Sequence, residues 1–132
     1  MSVAVAIPSK KPSKTIAQAG LSAFMKIMEE WRLTSDEARV LLGRPANSTF
    51  YNWKKKQPAT LPHDTLTRIS YILGIYKNLR ILYRDPGLGN RWINQPNTRL
   101  NGQSPRERLL AGEITDLAFI RQWLDATRGG WS

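Results

Sequence analysis

The middle of this chain has an unbroken helical periodicity of apolar side chains, and this feature most constrains the fold. Over residues 62–83, apolar side chains recur three and four positions apart: Leu66, Ile69, Ile72, Leu73, Tyr76 and Leu79. That spacing places them on one face of a helix of about five to six turns. A helix this long needs other elements packed on its apolar face, so the pattern predicts a spine helix.

Three shorter helices are predicted ahead of the spine. Residues 16–32 carry an apolar face made of Leu21, Phe24, Met25, Met28 and Trp31. In "TSDEARVLLG", Thr34 and Glu37 have the spacing of a capping box, and Gly43 is a suitable stop. The helix "STFYNWKKK" is expected to start behind Asn47 as its N-cap and to end before Gln57.

The segment after the spine predicts a connection rather than a regular element. Residues 85–103 are rich in Gly, Pro and Asn and are expected to form a loop. Trp92, Ile93 and Leu100 are expected to hold this loop against the domain.

Two more helices are predicted after the loop. Ser104, Pro105 and Glu107 combine an N-cap, a first-turn proline and a capping box, and Gly112 is expected to end the short helix that follows. A last helix is predicted over residues 113–127. The chain shows no internal repeat and no alternating strand pattern, so the predicted fold class is all-α.

Composition excludes several classes of protein. The chain has no cysteine, which rules out disulfides and thiolate metal sites and fits a cytoplasmic protein. No stretch approaches the roughly 18 apolar residues of a membrane span, so no membrane association is expected. In "MSVAVAIPSKKPSK" the apolar run precedes the lysines, the reverse of the order in a secretory signal, so residues 1–15 are expected to be a flexible basic tail.

The charge of the chain points to a polyanionic partner. Twenty Lys and Arg residues stand against ten Asp and Glu residues, a formal net charge of +10. Residues 1–60 hold ten of the basic and four of the acidic residues, so the excess is concentrated in the amino-terminal half. That half is the candidate nucleic-acid-binding half.

The helix behind Asn47 is the candidate DNA-reading element. On a helical wheel, Phe50 and Trp53 fall on one side as core anchors, with polar side chains opposite. A capped helix, a tight turn and a short polar helix are the arrangement that brings side chains to base edges in the major groove of double-stranded DNA. The predicted DNA-binding residues are Ser48, Thr49, Tyr51, Asn52, Lys54, Lys55 and Lys56. The alternative is an ordinary surface helix whose lysines are simply solvated.

The last predicted helix has two apolar faces. Ile114, Leu117, Ile120 and Leu124 share one face, whereas Phe119 and Trp123 stand on the opposite one. One face can meet the domain's own core. The second needs a loop, another subunit or a different protein to cover it.

The residues that follow this helix suit insertion into a partner. Arg128 offers a planar fork of donors, Gly129 and Gly130 permit backbone shapes closed to other residues, and Trp131 can fill a pocket. A helix C-cap at either glycine, with Trp131 packed back on its own domain, explains the same residues.

Taken together, these segments resemble the antitoxins of the MbcA/ParS/Xre type, which are encoded beside toxins with a RES domain. The resemblance covers about residues 16–131. It is carried by "LTRISYILGIYKNLRIL", "RWINQPNTRLNGQSPRERLLAG" and "RGGW", above all by Ile75, Tyr76, Trp92, Asn97, the turn at residues 101–105, Gly112 and residues 128–131. The "RERLL" at residues 106–110 is more charged than in the family, so no role is carried over to Arg106 or Arg108.

The resemblance implies an Xre-like helix-turn-helix bundle at residues 16–84 that continues into a small helical toxin-binding domain at residues 85–132. It implies an antitoxin that occludes the active site of an NAD-consuming RES-domain toxin and represses its own operon by binding double-stranded operator DNA. Toxin-binding residues would be Phe119, on the second apolar face, with Trp123, Arg128, Gly129, Gly130 and Trp131. A homodimer is expected, because helix-turn-helix proteins commonly match two-fold operators.

Two rival readings stand beside the antitoxin. One is a stand-alone regulator, similar to phage repressors, whose carboxy-terminal helices only dimerise it. The other is an enzyme, for which the sequence offers no nucleophile-base pair or metal-ligand spacing. Since inhibition would be steric, no catalytic residue, metal or cofactor is expected. The one histidine, His63, follows Pro62 at a predicted helix start, where a capping or surface role is expected.

Overall fold

A computed structural model describes residues 14–129, which form a bundle of α-helices. The elements are α1 (Ile16–Glu30), α2 (Ser35–Leu41), α3 (Asn47–Lys56), α4 (His63–Leu82), α5 (Pro86–Asn94), a 3₁₀ turn (Thr98–Leu100), α6 (Pro105–Leu110) and α7 (Ile114–Gly129). No β-strand occurs within residues 14–129, which confirms the all-α prediction. Most of the predicted tail, residues 1–13, lies outside the described part of the chain.

Capping boxes define the starts of three helices. Both predicted capping boxes are present, since Glu37 closes the cap of α2 on Thr34 and Glu107 closes that of α6 on Ser104. A third box, unpredicted, starts α1 at Thr15. In each box two backbone N–H groups that lack helical partners are satisfied.

The core is built on α4, which confirms the predicted spine. This helix packs against both α7 and α1. The largest apolar side chains with almost no exposed surface come from all parts of the described chain: Phe24, Phe50, Leu21, Leu41, Leu42, Ile72, Ile75, Ile93, Leu109, Leu117 and Ile120. One contiguous core therefore joins the amino-terminal and carboxy-terminal helices.

The loop predicted at residues 85–103 is wrong, because much of it is helical. Asp85 caps α5 by accepting the N–H of Gly87 at 2.9 Å, and Pro86 occupies the first turn. A first-turn proline and an N-terminal Asp cap are helix-start signals. The predicted packing is nonetheless confirmed: Ile93 and Leu100 are buried and Trp92 is partly buried against the core.

The turn motif that follows α5 has a structural role. The side chain of Asn97 accepts the N–H of Arg99 at 2.9 Å, and its backbone bonds both Gln103 and Gly102 at 2.9 Å. Asn101 and Gly102 both have positive φ angles, +56° and +88°. The motif thus makes the tight reversal that brings α6 back onto the bundle.

Two predicted helix ends differ from the structure. Asn47 is the first residue of α3 and Ala46 is the cap, with no side-chain hydrogen bond to that cap, so the predicted Asn47 N-cap is wrong. The last helix starts at Ile114 and reaches Gly129, two residues beyond the predicted end. Gly129 is therefore helical, and the helical hydrogen-bond pattern overrides its weak propensity.

Candidate DNA-binding and toxin-binding surfaces

The predicted reading face of α3 is turned to solvent. Phe50 is buried and Trp53 is partly buried against the core, as the two predicted anchors should be. Tyr51 is 55% exposed. The other predicted DNA-binding residues are also exposed, except that Thr49 is half-buried: Ser48, Asn52, Lys54, Lys55 and Lys56. The exposed polar atoms and lysines of this face are suited to base edges and phosphates.

The three lysines at the end of α3 are not equivalent. The Nζ of Lys54 lies 5.5 Å from the ring centroid of Phe50 and 5.7 Å from that of Tyr51. These are cation–π distances, so Lys54 leans back along its own helix. Lys55 and Lys56 extend from the last turn and are exposed.

The turn between α2 and α3 is held by Arg39. Its Nη1 donates to the carbonyl of Pro45 at 2.9 Å, and its Nη2 pairs with Asp36 at 3.1 Å. Gly43 has a φ of +99° and ends α2, as predicted. The turn therefore presents α3 in a defined orientation to α2, which a helix-turn-helix needs.

The two apolar faces predicted for the last helix are present in α7. Leu117, Ile120 and Leu124 are buried, on the helix that packs most closely against α4. Phe119, on the other face, is 40% exposed. The centroids of the Trp123 and Trp92 rings lie 5.4 Å apart, so α5 covers part of the second face. This cover comes from α5, a helix in the segment that was predicted to be a loop.

Two arginines that the sequence analysis did not single out as site residues lie over this aromatic face. The guanidinium carbon of Arg99 is 5.1 Å from the ring centroid of Trp123, and that of Arg108 is 4.5 Å from Phe119. Arg108 also pairs with Asp116 at 2.6 Å. The exposed part of α7 is thus an aromatic surface with a cationic rim, a composition common at the centres of interfaces. The spacing of residues along the sequence did not predict this surface, because Arg99 and Arg108 reach the rings of α7 from other elements.

The end of α7 is anchored to α4 through Asp125. Its Oδ1 accepts a 2.7 Å hydrogen bond from Asn78, and its Oδ2 lies 3.2 Å from Arg121 Nε. Burial raises the pKa of Asp125, but the bonds from Asn78 and Arg121 and the charges of Arg121 and Arg128 outweigh it, so the pKa is lowered. Arg128 itself is exposed. Of the other predicted toxin-binding residues, Gly130 and Trp131 lie outside the described residues.

One arginine of α4 and one of the α2–α3 turn also bond to the α6–α7 turn. Arg68 is buried and donates to the carbonyl of Gly112 at 2.8 Å while pairing with Asp64 at 3.0 Å. Arg44 donates to the carbonyl of Ala111 at 3.2 Å. These charge-assisted bonds fix the turn before α7 relative to the α2–α3 turn.

Within residues 14–129, no group of three or more His, Asp or Glu side chains is placed to hold a metal ion. None of the helices described there has the length and apolarity needed to cross a bilayer. His63 is the exposed first residue of α4, as predicted.

Comparison with known families assigns both halves of the chain. Residues 13–74 match the antitoxin Xre-like helix-turn-helix domain, and residues 78–130 match the antitoxin Xre/MbcA/ParS C-terminal toxin-binding domain. The chain belongs to the Xre/MbcA/ParS antitoxin family. The antitoxin is also 43% identical over 126 residues to uncharacterized protein y4oB of Sinorhizobium fredii (strain NBRC 101917 / NGR234), across 94% of this chain and 97% of that relative.

The two family matches of the antitoxin meet inside one helix. The first ends at residue 74 and the second begins at residue 78, and both positions lie in α4. Helices α1 to α3 lie in the helix-turn-helix match, and α5 to α7 lie in the toxin-binding match. The antitoxin therefore joins a helix-turn-helix to a toxin-binding region through its spine. The predicted boundary at residue 84 stays a prediction.

Proposed function

We propose that this antitoxin neutralises an NAD-consuming RES-domain toxin by occluding its active site with the exposed face of α7 and the residues that follow. The observation that carries the proposal is the 40% exposure of Phe119, a large apolar side chain on a helix whose opposite face buries Leu117, Ile120 and Leu124. Because α7 is helical to Gly129, the exposed Arg128 lies on its last turn. Inhibition is steric, so it needs no catalytic residue or cofactor from the antitoxin.

We also propose that the antitoxin represses its own operon through α3. The exposed side chains of Ser48, Tyr51 and Asn52 supply the groups that read bases, and Lys55 and Lys56 supply charge for phosphates. A homodimer would place two α3 helices in successive major grooves of a two-fold operator. Both roles require the protein to work in the cytoplasm, where the operator lies.

Co-expression with the product of the neighbouring gene tests toxin binding. The full-length antitoxin should retain that product on an affinity column and stop its NAD consumption. Phe119→Asp, and separately removal of residues 128–132, should abolish both effects. Tyr51→Ala is the matched control, an exposed aromatic on α3 whose loss should leave toxin retention unchanged. The stand-alone regulator would be favoured if both variants still retained the gene product. It would also be favoured if the variants lost self-association instead of toxin binding.

Gel-shift titration tests the operator-binding role. The antitoxin should prefer its own promoter to a scrambled duplex of equal length, and Asn52→Ala should lower that preference by about five- to a hundred-fold, the range for one good base contact. Phe119→Ala should keep the preference. Equal affinity of the wild-type protein for both duplexes would contradict repression. Light scattering at the same concentration reports whether the DNA-binding species is a dimer.

A further inference from the structure

The basic residues of the antitoxin change in type where the two family matches meet. All eight lysines lie within residues 1–77, whereas residues 78–132 contain eight arginines and no lysine. Protein interfaces are enriched in arginine and depleted in lysine, because the planar guanidinium is weakly hydrated and binds a carboxylate with two parallel hydrogen bonds. The toxin-binding half therefore carries the basic residue that is typical of protein interfaces.

One of these arginines, Arg99, is held in position from both ends. Its backbone N–H donates to the side chain of Asn97 at 2.9 Å, and the next residue, Leu100, is buried. Its guanidinium carbon lies 5.1 Å from the ring centroid of Trp123, and that ring contacts Trp92 with centroids 5.4 Å apart. The turn fixes the backbone of Arg99, and the pair of indole rings supports its side chain.

The hydrogen-bond donors of Arg99 remain available. Residue 99 is exposed, and no side chain or carbonyl within residues 14–129 forms a hydrogen bond or an ion pair with its guanidinium. A contact with a ring uses the face of a guanidinium and leaves the N–H groups at its edge for other partners. Arg99 therefore presents a supported fork of donors at the surface.

A second guanidinium lies close to the first. That of Arg108 is 4.5 Å from the ring centroid of Phe119, and the Phe119 and Trp123 rings are 6.4 Å apart. The nearby carboxylate of Asp116 is already paired with Arg108 at 2.6 Å. Arg99 has no such pair among the described residues, so this face has an excess of positive charge beside the exposed Phe119 ring.

We propose that Arg99 binds a carboxylate of the toxin, and that the toxin surface which meets α7 is acidic around an apolar centre that receives Phe119. This inference rests on the proposed toxin binding. The bond is charge-assisted and bidentate, which gives it direction as well as strength. Since Arg99 is already positioned by its turn and by the Trp123 ring, binding costs little side-chain entropy.

The variant Arg99→Ala tests the proposal with full-length antitoxin and the purified product of the neighbouring gene. Calorimetric titration should show about ten- to a hundred-fold weaker binding, the range for a hydrogen bond between charged groups. Arg99→Lys keeps the charge without the planar fork, so it should recover only part of the affinity. Raising the salt from about 50 mM to about 500 mM should narrow the difference between the wild-type protein and Arg99→Ala, because salt screens exposed charges.

The variant Arg80→Ala is the matched control, since it also removes an exposed arginine that lies over an aromatic ring. The guanidinium carbon of Arg80 is 6.0 Å from the ring centroid of Tyr76, whose hydroxyl donates to Glu30 of α1 at 3.0 Å. This pair belongs to the junction of α4 with α1, so its loss should leave toxin affinity unchanged. Urea unfolding of each variant checks that the bundle stays folded.

The outcomes separate this inference from the proposed function. If the wild-type protein binds the toxin and Arg99→Ala binds it as tightly as Arg80→Ala does, the inference alone is overturned. If the wild-type protein does not bind the toxin, both are overturned. Gel-shift titration should give Arg99→Ala the promoter affinity of the wild-type protein. A loss of promoter affinity in place of toxin affinity would overturn the inference, since Arg99 would then serve a phosphate.

Discussion

Arg106 of α6 holds Glu37 of α2 by both carboxylate oxygens, with Nη2 at 2.8 Å from Oε1 and 2.9 Å from Oε2. The same Oε1 accepts the backbone N–H of Thr34 at 2.9 Å. One carboxylate therefore closes the cap of α2 and joins the helix-turn-helix to the toxin-binding region. The charged "RERLL" segment, which set this chain apart from its family in the sequence analysis, has an intramolecular role.

Arg106→Ala should destabilise the antitoxin by about 1 kcal/mol. The pair is charge-assisted but partly exposed, so its contribution lies between those of surface and buried ion pairs. Urea unfolding followed by circular dichroism measures it. Arg91→Ala removes an exposed arginine from α5 and should change stability by no more than about 0.5 kcal/mol. Equal losses in the two variants would contradict a role for the Glu37 pair.

Acid stability should depend on Glu37. Burial raises the pKa of Glu37, but the hydrogen bond from Thr34 and the pairing with Arg106 outweigh it, so the pKa is lowered from 4.5. The unfolded chain binds this proton more readily than the folded chain does. The contribution of ionised Glu37 to the free energy of unfolding is therefore complete above about pH 4.5, and it is lost as the pH falls through the pKa of Glu37 in the folded state. Between pH 5 and 3, Glu37→Gln should therefore lose less stability than the wild-type protein. Asp125 makes the stability of both proteins depend on pH in acid. Identical profiles of stability against pH for the two proteins would contradict the prediction.

Gly112→Ala should destabilise the antitoxin more than Gly102→Ala. Both glycines have positive φ angles, +85° and +88°, so both substitutions carry a backbone cost of about 1 to 2 kcal/mol. A Cβ at residue 112 would also lie 2.7 Å from the guanidinium of Arg44, whereas one at residue 102 meets nothing within 4 Å. The difference between the two midpoints of urea unfolding isolates the Arg44 contact. Equal midpoints would show that Arg44 moves aside freely.

Leu124→Ala should destabilise the antitoxin by about 2 to 5 kcal/mol, since Leu124 is 2% exposed on the core face of α7. Phe119→Ala should cost about 1 kcal/mol, because Phe119 is 40% exposed and rests mainly on Trp123 and Arg108. Thermal unfolding of both variants checks the contrast. A cost for Phe119→Ala as large as that for Leu124→Ala would mean that this ring serves the core rather than a partner.

Local signals predicted most helices because their causes are local. The periodicity of Ile69, Ile72 and Leu79 was enough to predict the spine, and paired residues such as Thr34 with Glu37 predicted helix starts. Capping and helical spacing act within one or two turns, so a linear reading contains all that they need. The same reasoning failed at α5, because the glycine and proline content of this segment predicted a loop although Asp85 caps a helix there.

Only the tertiary structure decided which apolar side chains of α7 stay exposed. Phe119 and Trp123 share a face of α7, yet Trp92 covers one and leaves the other exposed, while Arg99 and Arg108 arrive from separate elements. The sequence by itself determined the helices other than α5, the polar face of α3 and the family of the chain. The contacts between its two halves depended on the fold. Ion pairs and ring contacts require residues to be close in space, and separation along the chain does not encode that closeness.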